Sequence, residues 1–375
     1  MVPSRLRRGL RFEVRGDASY SASDLELPTS KLRGLAFPAM TARAASLPKA
    51  PFGTVFAPIM ASTTFDESGF GAIRLHEVET FDLHPGAHVF HYASACFEGL
   101  KAHRGRNGEA RIFRLDAHVA RMRQSASLLC LPVPEEDLVV EMVVRVVDAG
   151  RQEIPEHPGS LYLRPTLIGT EVNIGAAGSP PRNGILYVLA SPVGDYFAGG
   201  MRPLRILIED EGRRSTPGFG LAKAGANYVS ALRIVVAARR EHQADQVLFA
   251  PDGLVEETGA SNFLLIDDDV VITAPLSDSY LHGVTRDSTL RLAARLGYRI
   301  EERSLTVQEV LAWEGEAALS GTAAVLSAVG TFIHKGEEIT INDGQVGSNT
   351  LRLRKALTDI HSGMAEDPFG WVRVV

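Results

Sequence analysis

Cysteine is scarce in this chain: Cys96 and Cys130 are the two among 375 residues. They form no CxxC pair and stand in no metal-type histidine pattern, which excludes a disulfide scaffold and a zinc module. Free thiols, a reducing compartment and no metal site are expected. Long apolar runs are missing as well, and nothing approaches the roughly 20 residues of a membrane helix. Positive charge is not in excess: the formal net charge of −6 removes the electrostatic case for a nucleic-acid partner. Internal repeats and low-complexity tracts are absent too. What remains is an ordinary globular composition, 45% hydrophobic and 22% charged. The length suits about two domains.

The first fifty residues differ from the rest, with nine Lys/Arg against four Asp/Glu. Arg5, Arg7, Arg8, Arg11 and Arg15 crowd the start with no apolar core behind them, so a secretory signal is not expected. An Arg-rich, Ser-bearing start suits an organelle transit peptide, but Glu13, Asp17, Asp24 and Glu26 weigh against it. Residues 1–50 are expected to be a disordered extension and the cytoplasm the location; a transit peptide would place the protein in an organelle.

From Pro51 the pattern becomes globular. Residues 78–92 carry strand signals broken by Pro85-Gly86. Residues 116–130 predict a helix, with Asp116 as N-cap, Val119, Met122, Ala126 and Leu129 on one face, and Pro132 just beyond. Arg121 lies off that apolar face. A second helix is expected over 135–149, with Leu138, Met142 and Val146 aligned, and a strand over 160–168. The Gly/Pro-rich stretch 191–203 reads as an interdomain linker. Beyond it, short strands alternate with helices near 227–241 and 285–297. The expected fold is α+β: a smaller N-terminal domain over 51–190 and a larger C-terminal domain over 204–375.

The chemistry-bearing residues are few. GFGLAKAGANY (218–228) sets Lys223 among small residues, where its amine has little steric cover. A P-loop needs Gly before that lysine and Ser/Thr after it, but Ala222 and Ala224 stand there. LVEETGASNF (254–263) carries Glu256 and Glu257 in a strand-like context, so the two point to opposite faces. An open amine and a carboxylate at a distance are the two protein groups that pyridoxal 5'-phosphate requires. In SLYLRPTLIG (160–169), Tyr162 and Arg164 share a strand face and suit a carboxylate clamp. Arg121 and the helix start at Gly283-Val284-Thr285-Arg286, with Thr285 as N-cap, are phosphate candidates. The small-residue turn 320–324 is another. Each feature alone also fits a plainer role: a solvated lysine, an acidic turn, an edge-strand arginine, an ordinary helix cap.

Taken together, several blocks resemble the branched-chain aminotransferases of the class IV, fold-type IV group. These are HYASACFEGLKAHRG (91–105), FRLDAHVARMRQSASLLCLP (113–132), SLYLRPTLIGTE, SPVGDYFAGG, the Lys223 block, EETGASNF, LHGVTRDS and SGTAAVLSAVG. They run in order from about Phe52 to Trp371. The resemblance implies a fold-type IV architecture with a barrel-like sheet in the larger domain. It implies that Lys223 carries the cofactor as a Schiff base, that Tyr228 bonds the cofactor's phenolic oxygen and that Glu257 pairs with its ring nitrogen. Arg121, Val284, Thr285 and Thr322 would hold the phosphate. Thr322 and Ala323 would receive the substrate carboxylate, and Tyr92, Phe97, Tyr162 and Arg164 would line the substrate pocket. Family members are usually homodimers whose small-domain residues reach into the partner's site. The expected activity is transamination of leucine, isoleucine and valine with 2-oxoglutarate, giving branched 2-oxo acids and L-glutamate. A D-amino-acid transaminase, an aminodeoxychorismate lyase and a silent cofactor-binding protein are the alternatives. Ala226 replaces the second glycine of the family's lysine block, Ala260 stands where many members have Thr, and Leu115 ends the FRP-like start of the helix block.

Overall fold

The computed structural model describes residues 51–197 and 199–375. The expectations for residues 1–50 fall outside that range. In chain order the first eight strands are β1 (Ile59–Asp66), β2 (Gly69–Phe70), β3 (Arg74–Glu77), β4 (Ala95–Phe97), β5 (Leu100–Arg104), β6 (Ala110–Phe113), β7 (Ser160–Gly169) and β8 (Gly184–Val193). The next nine are β9 (Leu204–Glu209), β10 (Gln246–Phe249), β11 (Asn262–Ile266), β12 (Val270–Thr273), β13 (Arg299–Glu302), β14 (Glu316–Gly321), β15 (Val325–His334), β16 (Glu337–Thr340) and β17 (Val372–Val374). The α-helices are α1 (His88–Tyr92), α2 (Leu115–Leu128), α3 (Glu136–Ala149), α4 (Gly225–His242), α5 (Val284–Arg295), α6 (Val307–Leu311) and α7 (Ser348–Ser362).

Two sheets carry the α+β fold, the first antiparallel throughout and the second mixed. The first runs β17-β6-β5-β7-β8-β1-β2, with β3 on β1 and β4 on β7. Its spine is the β7–β8 ladder of ten antiparallel residue pairs. Leu161, Leu163 and Leu167 alternate inward along β7 and meet Met122 of α2 and Met142 and Val146 of α3 in one core. Burial of each such side chain contributes roughly 1.5–3 kcal/mol. The second sheet runs β10-β9-β15-β14-β11-β12-β13, with β16 on β15. Here β11 is buried along its whole length. Phe263 and Leu265 join one apolar cluster with Val307 and Val310 of α6. Leu264 and Ile266 join another with Leu290 of α5 and Leu353 of α7. A strand covered on both faces reads as a continuous apolar run, as NFLLI does. Among the described residues no helix is long and apolar enough to cross a membrane.

The structure departs from the sequence expectations in particular places. The helix expected at 116 starts at Leu115, and Asp116 is not its cap; Arg114 stands there with φ 51°. Tertiary bonds fix that residue instead, because its amide donates to Trp371 O and its guanidinium reaches Asp287 and Ser288. Gly283, not Thr285, caps α5. The strand signals over 78–92 yield no strand there; the segment ends in α1, whose His88 is buried. Ser191–Val193, assigned to a linker by sequence, are the last rungs of β8. The far C-terminal strand β17 pairs with β6 of the first sheet, although its sequence position places it with the second.

Candidate active site

Lys223 sits just before α4, in a loop that bridges to β4 and bonds to α2. Asn227 Nδ2 bonds the carbonyls of Phe219 (2.9 Å) and Ala222 (2.8 Å), folding the loop across the start of α4. Gly220 permits this path, because a Cβ there would collide with the Ser279 carbonyl. The lysine backbone is pinned at both ends: its amide donates to Ser125 Oγ of α2 (2.9 Å), and its carbonyl accepts from Phe97 N (3.0 Å). Only the side chain is left to act. Its Nζ donates to Tyr228 Oη at 2.9 Å. Burial alone would raise the Tyr228 phenol, but the charge and hydrogen bond of Lys223, with Arg214 nearby, hold it below its ordinary value.

Glu257 faces the same cleft and is buried. Its Oε1 accepts from Leu281 N (2.9 Å) and its Oε2 from Asn262 Nδ2 (3.1 Å). Arg214 Nη1 lies 3.0 Å from Oε1 as an ion pair whose alignment falls short of a hydrogen bond. Burial pushes the Glu257 carboxyl up to about 7, against the opposing pull of Arg214, the Leu281 amide, Lys223 and Arg121. Glu256 turns the other way toward Arg213, 3.5 Å off, as alternation along an extended chain requires.

Arg121 is buried, not off the core as its helical position suggested. The reason is Glu98, which takes Arg121 Nε on Oε1 (2.6 Å) and Nη2 on Oε2 (2.9 Å). His118 Nδ1 lies 2.8 Å from the same Oε2. Burial opposes ionisation of Glu98, but Arg121 and His118 outweigh it and hold its carboxyl well below the usual range. Arg121 Nη1 donates to His282 O (3.0 Å), tying the guanidinium to the start of α5. The first amides of a helix have no partner within it, so this start and Arg121 make an anion cradle.

Arg121, Arg214, Lys223, Tyr228, Glu257, Val284, Thr285, Ser320 and Thr322 all line one cleft. The donor set fits pyridoxal 5'-phosphate: an amine, a phenol, a buried carboxylate and an anion cradle converge on the cleft. The buried Ser320 hydroxyl, which has no hydrogen-bond partner, adds a free polar group to the lining.

Phe97 joins this cleft to a second chamber. Its ring centroid lies 5.2 Å from Lys223 Nζ and 4.6 Å from Arg164 Cζ. Tyr162, Arg164, Phe52, Phe56 and Tyr187 line the chamber with it. Arg164 Nη2 donates to Tyr162 Oη (3.1 Å), while its Nε is buried with no partner. Gly99 makes room for Tyr162, since a Cβ there would collide with the phenol oxygen. An apolar wall with a free guanidinium edge suits a carboxylic acid bearing an aliphatic side chain.

Two expected residues stand apart. Tyr92 lines neither cavity; its hydroxyl donates to the Ile174 carbonyl. Ala323 follows Thr322 but is turned so that its carbonyl accepts from Lys101 Nζ. Sequence reasoning missed Arg214, Glu98, Asn262 and Ser125. His118 and Arg121, three apart on α2, share a helix face and could have signalled a common partner. Arg214 has no such signal.

A model of the class IV amino-transferase family matches residues 95–330. A probable branched-chain-amino-acid aminotransferase of Staphylococcus epidermidis is 36% identical over 333 residues, covering 85% of this chain and 92% of the relative. Among solved structures, the branched-chain amino acid aminotransferase of Escherichia coli superposes with a TM-score of 0.68 at 26% identity. The match covers 83% of this chain and 98% of that one. The enzyme of the same name from Thermobaculum terrenum, in its PLP form, shares the fold with a TM-score of 0.69 at 21% identity. There the match covers 85% of this chain and 98% of that one.

Proposed function

The chain belongs to the class IV aminotransferases, and from that premise we propose that it transaminates branched-chain L-amino acids with 2-oxoglutarate, using pyridoxal 5'-phosphate. The observation that carries the reading is the convergence of Lys223, Tyr228 and Glu257 on one cleft. When bound, the cofactor supplies an electron sink for the charge that develops at the substrate Cα.

The residues divide the remaining work. Lys223 Nζ anchors the cofactor and, once free, takes the proton from the substrate Cα and holds it for return. Tyr228 holds that amine in position at 2.9 Å. Glu257 presents a buried carboxylate to the ring nitrogen, with Arg214 and the Leu281 amide fixing its direction. Arg121 and the start of α5 grip the phosphate. Arg164 and Tyr162 take the side-chain carboxylate of glutamate, the turn that begins at Thr322 receives the α-carboxylate, and Phe97 walls the aliphatic pocket. Such a pocket separates side chains differing by one methylene by only about 1–3 kcal/mol, so leucine, isoleucine and valine are all accepted.

The working unit in this reading is a homodimer in the cytoplasm. Its support is an exposed apolar stripe on α4, where Val229, Leu232 and Val236 fall at three- and four-residue spacing. In this dimer Tyr92, which lines neither cavity of its own chain, serves the neighbouring subunit. The test is Lys223→Ala. The variant should bind no chromophore that borohydride can fix, and its leucine–2-oxoglutarate turnover should fall by several orders of magnitude, on the scale of losing a covalent catalyst. Near-normal turnover would refute the assignment. Formation of D-glutamate in place of L-glutamate would shift it to the D-amino-acid branch.

A further inference from the structure

The turn that joins β14 to β15 lines the lysine cleft through Gly321 and Thr322. At its far end Val325, a buried β-branched residue, sits at φ 65°. That conformation is an outlier for such a side chain and persists only where the surroundings over-determine it.

The surroundings here are two cations behind the turn. Lys101 of β5 donates Nζ to Ala323 O at 2.7 Å. Arg354 of α7 directs Nε to Ala324 O at 3.4 Å and Nη2 to Asp195 Oδ1 at 3.3 Å. The Arg354 guanidinium also lies 5.5 Å from the Phe197 ring centroid. Successive carbonyls are thus drawn to one side. In a trans peptide the N–H points opposite to its C=O, so the Ala324 amide leaves on the side away from Lys101. Two cations facing one carboxylate also leave net positive charge behind the turn, a field that favours an arriving carboxylate. Desolvation of the Lys101 ammonium, with Arg354 close by, pushes it down to about 8, the mark of a group held in place at a cost.

We propose that Lys101 and Arg354 are positioning residues that hold the Thr322–Val325 turn in the shape that receives the substrate's α-carboxylate, with Asp195 fixing Arg354. Neither side chain touches substrate; both act through the backbone carbonyls. The proposal rests on the transaminase reading above and adds the residues that shape one part of its site.

The experiment compares Lys101→Met, Lys101→Arg and Arg354→Met with the wild-type holoenzyme. Two quantities are read: steady-state constants for leucine and 2-oxoglutarate, and the dissociation constant of isocaproate, a leucine-shaped acid without an amine. Loss of one charge-assisted hydrogen bond should raise KM and weaken isocaproate about tenfold. Cofactor absorbance and kcat should stay within about twofold, since Lys223, Tyr228, Glu257 and Arg121 are untouched. Lys101→Arg should restore most of the binding. Unchanged KM and isocaproate affinity in both apolar variants would overturn the proposal, as would a loss confined to kcat or to cofactor content. If Lys101→Met does not fold, Arg354→Met carries the same expectation. A wild-type protein that binds isocaproate but does not turn over leucine would strike the transaminase reading and leave the brace to be judged by affinity alone.

Discussion

At the scale of single residues, Glu257 is the most informative side chain after Lys223. Its carboxyl is buried and lifted from 4.5 to about 7. A raised acid favours the folded state while protonated. Its contribution is therefore fully present below about pH 4.5 and is lost as the pH rises through about 7. Between those limits the cofactor-free protein should lose on the order of 3 kcal/mol relative to Glu257→Gln, which has no charge to bury. Thermal melts of both stripped proteins across that window check this, and parallel curves would contradict it. In Glu257→Gln the holoenzyme should also turn over far more slowly, because the ring nitrogen loses its anionic partner. Small residues around a lysine and a pair of acids leave a local trace, which singled out Lys223 and the Glu256/Glu257 pair; Tyr228, and Glu257 over Glu256, came from the family resemblance alone. Arg214 left no trace: its meaning lies in a contact with Glu257, more than a strand's length away in sequence. Glu98 was hidden for the same reason, and hiding it made Arg121 look peripheral.

At the scale of elements, periodicity told the helices and strands truly where burial follows one face. Met142 and Val146 of α3 and the β7 alternation are such cases, while Leu138 packs only half-buried against the same core and Val139 and Val143 are the buried neighbours. It failed at α1, a five-residue helix that tertiary contacts impose, and at the start of α2, where Trp371 and Asp287 decide what Arg114 does. The end of α7 offers a test. His361 is buried there, stacks on His103 with ring centroids 4.9 Å apart, and has no partner for either ring nitrogen. Burial, with Lys101, Arg354 and His157 adding to it, lowers its pKa to about 3. A depressed histidine contributes stability that is present above about 6.5 and is lost as the pH falls toward 3. His361→Phe should keep the stacking on Phe113 and His103 and flatten the acid limb of a stability–pH curve. An acid limb as steep as the wild type's would show that other groups set it.

At the scale of the whole molecule, the cleft draws on both sheets: Arg121 comes from α2 beside the first, Glu257 and Thr322 from the side of the second. No window of sequence contains it: two stretches pointed to the cofactor, and eight ordered blocks to the family. The α4 stripe belongs to this scale too. Leu232→Glu puts a charge in the middle of that apolar face, and if the proposed homodimer forms through it, light scattering should report half the parent's mass. A variant that keeps the parent's mass would rule out this face as the contact. The pairing of β17 with β6 has its own outcome for biogenesis. Residues 111–113 leave the ribosome long before residues 372–374 are made, an interval on the order of tens of seconds at ordinary rates of translation. Throughout it β6 lacks its outer neighbour, so the first sheet completes its final ladder only after the rest of the chain has been made.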